Sequence, residues 1–153
     1  MTALKYLSLP LICLFAVSAF AEVKPSVEVQ KLAQSEKMWD GTPLPAYPSG
    51  QPEITVIKVT IPPHGTLAWH KHPSINAGYL LSGTLTVISE DGKQLVLKPG
   101  DALIELVDKY HCGRNDGDDP VEIVVFYAGK HGVPLSVARQ GSANYGSRES
   151  CAH

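Results

Sequence analysis

The sequence predicts an all-β fold in a single domain, and three observations predict it. From Glu53 onward, short runs rich in Val, Ile, Thr and Leu recur at intervals of about ten residues, each closed by Gly, Pro or Asp-Gly. Beyond the first 21 residues no segment keeps a helical apolar period over three turns. The 153 residues are 44% hydrophobic and 18% charged, enough apolar side chain for one core and too much for a disordered chain.

Each element follows from local chemistry. The opening 21 residues read as a secretory signal peptide: Lys5 near the start, an apolar run from Leu7 to Phe20, and a small-x-small site at Ala19-Phe20-Ala21. The run is shorter than the ~20 residues a spanning helix needs, so no stable membrane insertion is expected after cleavage, and the mature chain is expected to be periplasmic or secreted. Residues 22–52 form an arm in which Val27 and Val29 alternate with polar neighbours as a first strand candidate, before Pro43, Pro45, Pro48 and Pro52 exclude helix and central strand. Trp39 and Tyr47 are candidates to pack over the mouth of the domain. The body, residues 53–130, carries strand candidates at Glu53–Ile61, Leu67–His72, Asn76–Ser82, Thr84–Ser89, Gln94–Leu97, Ala102–Val107, Tyr110–Asn115 and Val121–Ala128. Asp91-Gly92 is the hairpin signal among them, because glycine accepts the positive φ of a tight primed turn. Residues 131–153 lose the apolar pattern and are expected to be a partly disordered tail.

Charge excludes some partners. The net charge is −2, with no basic stripe and no polybasic patch, which argues against nucleic acid and an anionic membrane surface. Cleavage of the leader leaves Cys112 and Cys151. An oxidising compartment permits a disulfide between them; the preferred reading of Cys112 is a buried, inert thiol.

The chemistry centres on histidine. His70 and His72 are two apart on a predicted strand, so their imidazoles share a face while Lys71 points away. Asn76 follows His72 by four residues and Gly83 follows Asn76 by seven; His111 lies eleven after Gly100, and Asn115 four after His111. These spacings resemble the cupin superfamily, whose motifs are G-x5-H-x-H-x3,4-E-x6-G and G-x5-P-x-G-x2-H-x3-N. The resemblance covers about half the chain, Ile54 to Tyr127. It departs at His64, which stands at the first glycine, at Asn76, which stands at the metal-binding Glu, and at Leu106 and Asp108, which stand at the Pro and Gly of the second motif.

The resemblance implies a jelly-roll β-barrel and a divalent metal ion (Zn, Fe, Mn, Ni or Cu) held by His70, His72 and His111, with the carbonyl oxygen of Asn76 as a weak candidate ligand. It also implies a small polar molecule as ligand, and dioxygenase, isomerase or lyase chemistry. A non-catalytic barrel that binds or senses a small ligand is the alternative, as is a sugar-nucleotide-epimerase-like binder, against which export argues. Glu105 is the only acid on its predicted strand. It either faces solvent or enters the cavity as the missing carboxylate, acting as ligand or general base. Gly78 reads as close packing and Asn115 as a turn former. His131 and His153 take no ligand role. The arm at residues 22–52 is a candidate to cross to a second subunit, giving a homodimer.

Overall fold

The computed structural model describes residues 26–141 and Cys151. The predicted leader, its cleavage site and His153 lie outside these residues, as do residues 142–150 and 152 of the stretch read as a partly disordered tail. Among the described residues there is no helix, and none long and apolar enough to cross a membrane.

Among the described residues, nine strands form two sheets. They are β1 (Pro52–Ile61), β2 (Thr66–Lys71), β3 (Ile75–Ser82), β4 (Leu85–Ser89), β5 (Gln94–Leu97), β6 (Ala102–Ile104), β7 (His111–Arg114), β8 (Val121–Lys130) and β9 (Val137–Ala138). One sheet runs β1-β8-β3-β6 and the other β5-β4-β7-β2-β9. Every ladder is antiparallel. All eight strand candidates from Glu53 to Ala128 are found, because a half-buried strand writes its own period of two. In β8, for example, Val121, Ile123, Val125 and Tyr127 are buried while the residues between them are not.

Ile61, Leu80, Leu103, Val121, Ile123, Val125 and Tyr127 of one sheet pack against Leu85, Val87 and Leu97 of the other. The sandwich is a jelly roll, but the expected barrel is not closed. Only an isolated parallel bridge, His72 with Val107, joins the sheets at one side. The strands near that seam, β6 and β9, have three and two residues, too few to carry a ladder around the corner.

The arm behaves in two parts. Val27 and Val29 are 93% and 87% exposed and form no strand; alternation without a partner strand is not enough. Further on, Lys37 bridges Pro43, and Met38 and Leu44 pack with Leu106 and Val107. The backbone N–H of Trp39 donates to the Ile104 carbonyl at 2.9 Å. Trp39 thus contacts the core, whereas Tyr47 is 76% exposed and covers nothing. Residues 131–141 are ordered into a turn and β9, and Cys112 is not a free thiol: it is bonded to Cys151.

The motif positions have a backbone reason. Gly83 and Gly100 have φ of +76° and +94°. His64 and Asp108, which stand where the motifs have glycine, are the two positive-φ residues other than glycine among those described, at 57° and 54°. The turn geometry survives the loss of its preferred residue. A Cβ on Gly83 would lie 2.6 Å from Val121 Cγ2 and 2.9 Å from both the Pro120 carbonyl oxygen and Val121 Cα, whereas one on Gly100 meets nothing within 4 Å. Gly83→Ala is therefore expected to destabilise the protein by about 2–4 kcal/mol, combining left-handed strain with a backbone clash. Gly100→Ala is expected to cost only the strain, about 1–2 kcal/mol. Urea midpoints of the two variants check the order.

Candidate metal centre

The three histidines reach one point from two adjacent strands. His70 on β2 is directly opposite His111 on β7, so both rings project from the same face of the ladder. A register irregularity between Leu67 and His70 bends β2 beside the site. His72 follows one residue after β2 ends and keeps the side of His70, while Lys71 turns out to pair with Asp108 at 3.2 Å. The ring centroids are 4.6 Å (His70–His111), 4.9 Å (His70–His72) and 5.0 Å (His72–His111) apart. Their candidate ligand atoms all lie within 4.8 Å of one another.

Each ring is oriented by a backbone carbonyl. Nδ1–H of His70 donates to Ala68 at 2.7 Å, that of His72 to Leu135 at 2.8 Å, and that of His111 to Lys109 at 3.0 Å. With Nδ1 carrying the proton, Nε2 keeps its lone pair as the ligating atom. Burial lowers the pKa of His70 to about 4, helped by the proximity of His111. Burial also lowers that of His72 to about 4, against the opposing pull of the Glu105 carboxylate. His111 is pushed down by burial as well. Neutral imidazole is the form that binds a metal.

Glu105 lies inside. Ile104 is opposite Ala77, and the N–H of Glu105 donates to the Asn76 carbonyl at 3.1 Å, so Glu105 continues the ladder opposite Asn76 and shares its inward face. Glu105 is 7% exposed, and burial raises its carboxyl pKa. Its Oε2 is 3.6 Å from His111 Nε2, too far for a hydrogen bond. The buried side-chain polar atoms without a hydrogen-bond partner, among the described residues, are Glu105 Oε2, His111 Nε2, Asn76 Oδ1 and Trp39 Nε1. Two of these four face each other in the site, and a cation between them would satisfy both. Three imidazole nitrogens and a carboxylate oxygen are a donor set suited to Zn, Fe, Mn, Ni or Cu. These residues fit a divalent ion.

The cavity beside the rings holds about 210 Å³. Its walls are Ile57, Val59, Leu67, Leu85, Val87, Ile123, Val125 and Leu135. The polar lining residues are the three histidines and Glu105, with Tyr127 and Ser136. Among the described residues no Lys or Arg lines it.

Asn76 is buried on the inner face, and its Nδ2 donates to the Ser74 carbonyl at 3.1 Å, but it is not among the lining residues. Asn115 holds a turn: Nδ2 donates to the carbonyls of Ile61, Pro62 and Asp119, and Oδ1 accepts from Gly117. Gly78 leaves no room for a ligand, since a Cβ there would lie 2.6 Å from Leu103 Cδ2. His131 is exposed and reaches Glu53 at 3.2 Å, far from this chemistry. Sequence reasoning missed Tyr127, whose ring stands edge-on to His72 at 5.5 Å, and Leu135 and Ser136. Tyr127 was accessible from the alternation of β8; a backbone carbonyl such as that of Leu135 leaves no mark in a sequence.

Residues 57–127 match the family model described as Cupin domain. Among solved structures, the chain is similar to the DMSP lyase DddQ from Ruegeria pomeroyi DSS-3, with 20% identity, coverage of 68% of this chain and 49% of that one, and a TM-score of 0.53. It is also similar to an uncharacterized conserved protein with a double-stranded beta-helix domain from Klebsiella pneumoniae, with 24% identity, coverage of 61% and 90%, and a TM-score of 0.50. A third is the oxalate decarboxylase from Lactobacillus farciminis in a formate complex, with 21% identity, coverage of 56% and 26%, and a TM-score of 0.50. The chain spans less than half the length of the DMSP lyase chains. At these identities the likeness is one of fold. No curated protein matches the chain.

The lowered histidine pKa values set a pH dependence. Each depressed ring binds its proton more tightly in the unfolded chain, so its contribution to stability is present above 6.5 and is lost as the pH falls toward about 4. Glu105, raised by burial, acts in the opposite sense, one carboxyl against three rings. The metal-free protein is expected to lose stability steeply between those pH values, and His70→Gln to flatten part of the slope, as measured by urea midpoints across the range.

Proposed function

We propose that this chain, a member of the cupin superfamily through residues 57–127, holds a divalent metal ion on Nε2 of His70, His72 and His111 and acts with it on a small organic molecule seated in the cavity. The observation that carries this is the convergence of three carbonyl-oriented imidazoles beside a buried carboxylate whose Oε2 has no hydrogen-bond partner. A divalent ion held there supplies Lewis acidity.

The chain's own residues do the rest. Glu105 Oε2, beside His111, is placed to serve as a fourth ligand or to take and return a proton on a bound molecule. The aliphatic walls exclude water and seat an apolar body, while Tyr127 and Ser136 offer polar contacts. Without Lys or Arg in the lining, a second carboxylate on the ligand would find no side-chain counter-charge. This favours a small molecule with one ionisable oxygen or sulfur group over a dianion. The reaction classes we propose are dioxygenase, isomerase and lyase, of which the lyase class is also that of the DMSP lyase and the decarboxylase with the same fold. A non-catalytic ligand-binding role is the second reading, favoured by Asn76 standing where the family motif has an acid.

Export is part of the proposal, supported by the Cys112–Cys151 disulfide, which suits an oxidising compartment. So is a homodimer, supported by Ile54, Val56 and Phe126, which stay exposed on the outer face of the β1–β8 pair.

Purified protein is expected to carry close to one divalent ion per chain by elemental analysis. His72→Ala should weaken binding by more than about 100-fold, beyond the 10–100-fold typical of an outer-shell change; full retention of the metal would contradict the assignment. Substrates would be sought by O₂ uptake and product analysis with catechols, thiols and diketones. Glu105→Gln is expected to keep the metal and lower turnover by about 10²–10⁴-fold. Unchanged metal content and unchanged turnover would remove Glu105 from the chemistry, and metal without turnover on any class would support the binding role.

A further inference from the structure

We propose that the segment Val133–Arg139, outside the family-matched region and held down by the Cys112–Cys151 disulfide, is a working part of the metal centre, with Leu135 as a positioning residue for His72. The inference rests on the three-histidine reading and adds a component to it.

The argument starts from an asymmetry among the three rings. His70 and His111 are each oriented by a carbonyl two residues away, on their own stretch of chain: Ala68 and Lys109. Wherever those strands go, the orienting carbonyl goes too. His72 is oriented by Leu135, 63 residues away. Its ring is therefore correctly placed only while the later segment lies against β2. The same segment builds the cavity wall, since Leu135 and Ser136 both line it and Leu135 packs on the main core.

The segment lies along β2. β9 has two residues, both exposed, and pairs with β2 at His70 and Lys71. The N–H of Arg139 donates to the Trp69 carbonyl at 2.8 Å. The Arg139 guanidinium lies 6.0 Å from the Trp69 ring centroid and 5.3 Å from that of Tyr110. A two-residue strand is a short ladder, and a covalent tie lies on the same side of the molecule, beside Trp69. Cys151 is buried with Ile88 and Cys112, and partly buried Trp69 packs against that cluster. Cys112 is the residue after His111 and itself lines the cavity. The disulfide thus ties Cys151 to the residue beside one ligand, while Leu135 orients another.

The test uses the full chain, a Cys112→Ala/Cys151→Ala double variant and a chain ending at Gly132. Co²⁺ affinity is measured by competition with a chromophoric chelator, at a temperature where circular dichroism shows each protein folded. The double variant and the shortened chain are expected to bind Co²⁺ about 10–100-fold more weakly, the usual effect of losing a group that orients a ligand. A second readout needs no metal: in ¹⁵N-labelled apo protein the ring N–H of His72 should exchange faster in the double variant, while those of His70 and His111 stay protected. Equal Co²⁺ affinity in the intact chain and the double variant, or equal protection of the His72 ring, overturns the segment's role even if the shortened chain fails to fold. Absence of Co²⁺ binding by the intact chain overturns the three-histidine reading together with the inference.

Discussion

The pairing of β2 with β7, which sets His70 directly opposite His111, is the constraint on which the interior depends. Two imidazoles facing each other across a ladder cannot both be charged at low cost in an apolar sandwich, and burial keeps them neutral. A neutral ring has one donor and one acceptor nitrogen, and here the donor goes to a carbonyl in all three histidines. That single pattern decides the tautomer, aims the lone pairs inward and removes the penalty of an unpaired buried N–H. His72 joins the pair because the chain keeps its alternation for two more residues after His70, past the end of β2.

Around this polar centre the two sheets contribute different things. The five-stranded sheet supplies the three rings or the chain next to them. The four-stranded sheet supplies the carboxylate: Glu105, the residue after β6, comes in opposite Asn76, where the motif places its acid. An amide at position 76 and a carboxylate opposite it put the negative charge on the same inner face by a different route. The apolar walls raise the stakes, since a buried carboxylate with no hydrogen bond to one oxygen is costly unless something cationic or protic meets it. The loops keep their shape under substitution in a parallel way. His64 and Asp108 adopt the left-handed backbone that glycine would take more easily, so the turns that flank the histidine strands stay in place.

The site is also not contained within the family-matched stretch. Leu135 and Ser136 close its wall, β9 lies along β2, and the disulfide ties the end of the chain to the residue after His111.

What the sequence determined by itself was everything that depends on local period and on spacing along one strand. The eight strands from Glu53 to Ala128, the Asp91-Gly92 hairpin, the common face of His70 and His72 and the outward Lys71 all follow from a side-chain repeat of two, and the motif spacing brought His111 into the same set. The resemblance that added His111 also implied a closed barrel, which the short strands β6 and β9 do not complete. The side on which Glu105 lies was not legible, because its flanks are aliphatic on both faces and β6 is only three residues long. Val27 and Val29 alternated without a partner and made no strand. The Cys112–Cys151 bond, 39 residues apart, and the Leu135 carbonyl that orients His72 were decided by tertiary structure alone. The reason is physical: alternation is a property of one strand, whereas the meeting of distant segments is set by how two sheets pack, and a backbone carbonyl is the same in every residue.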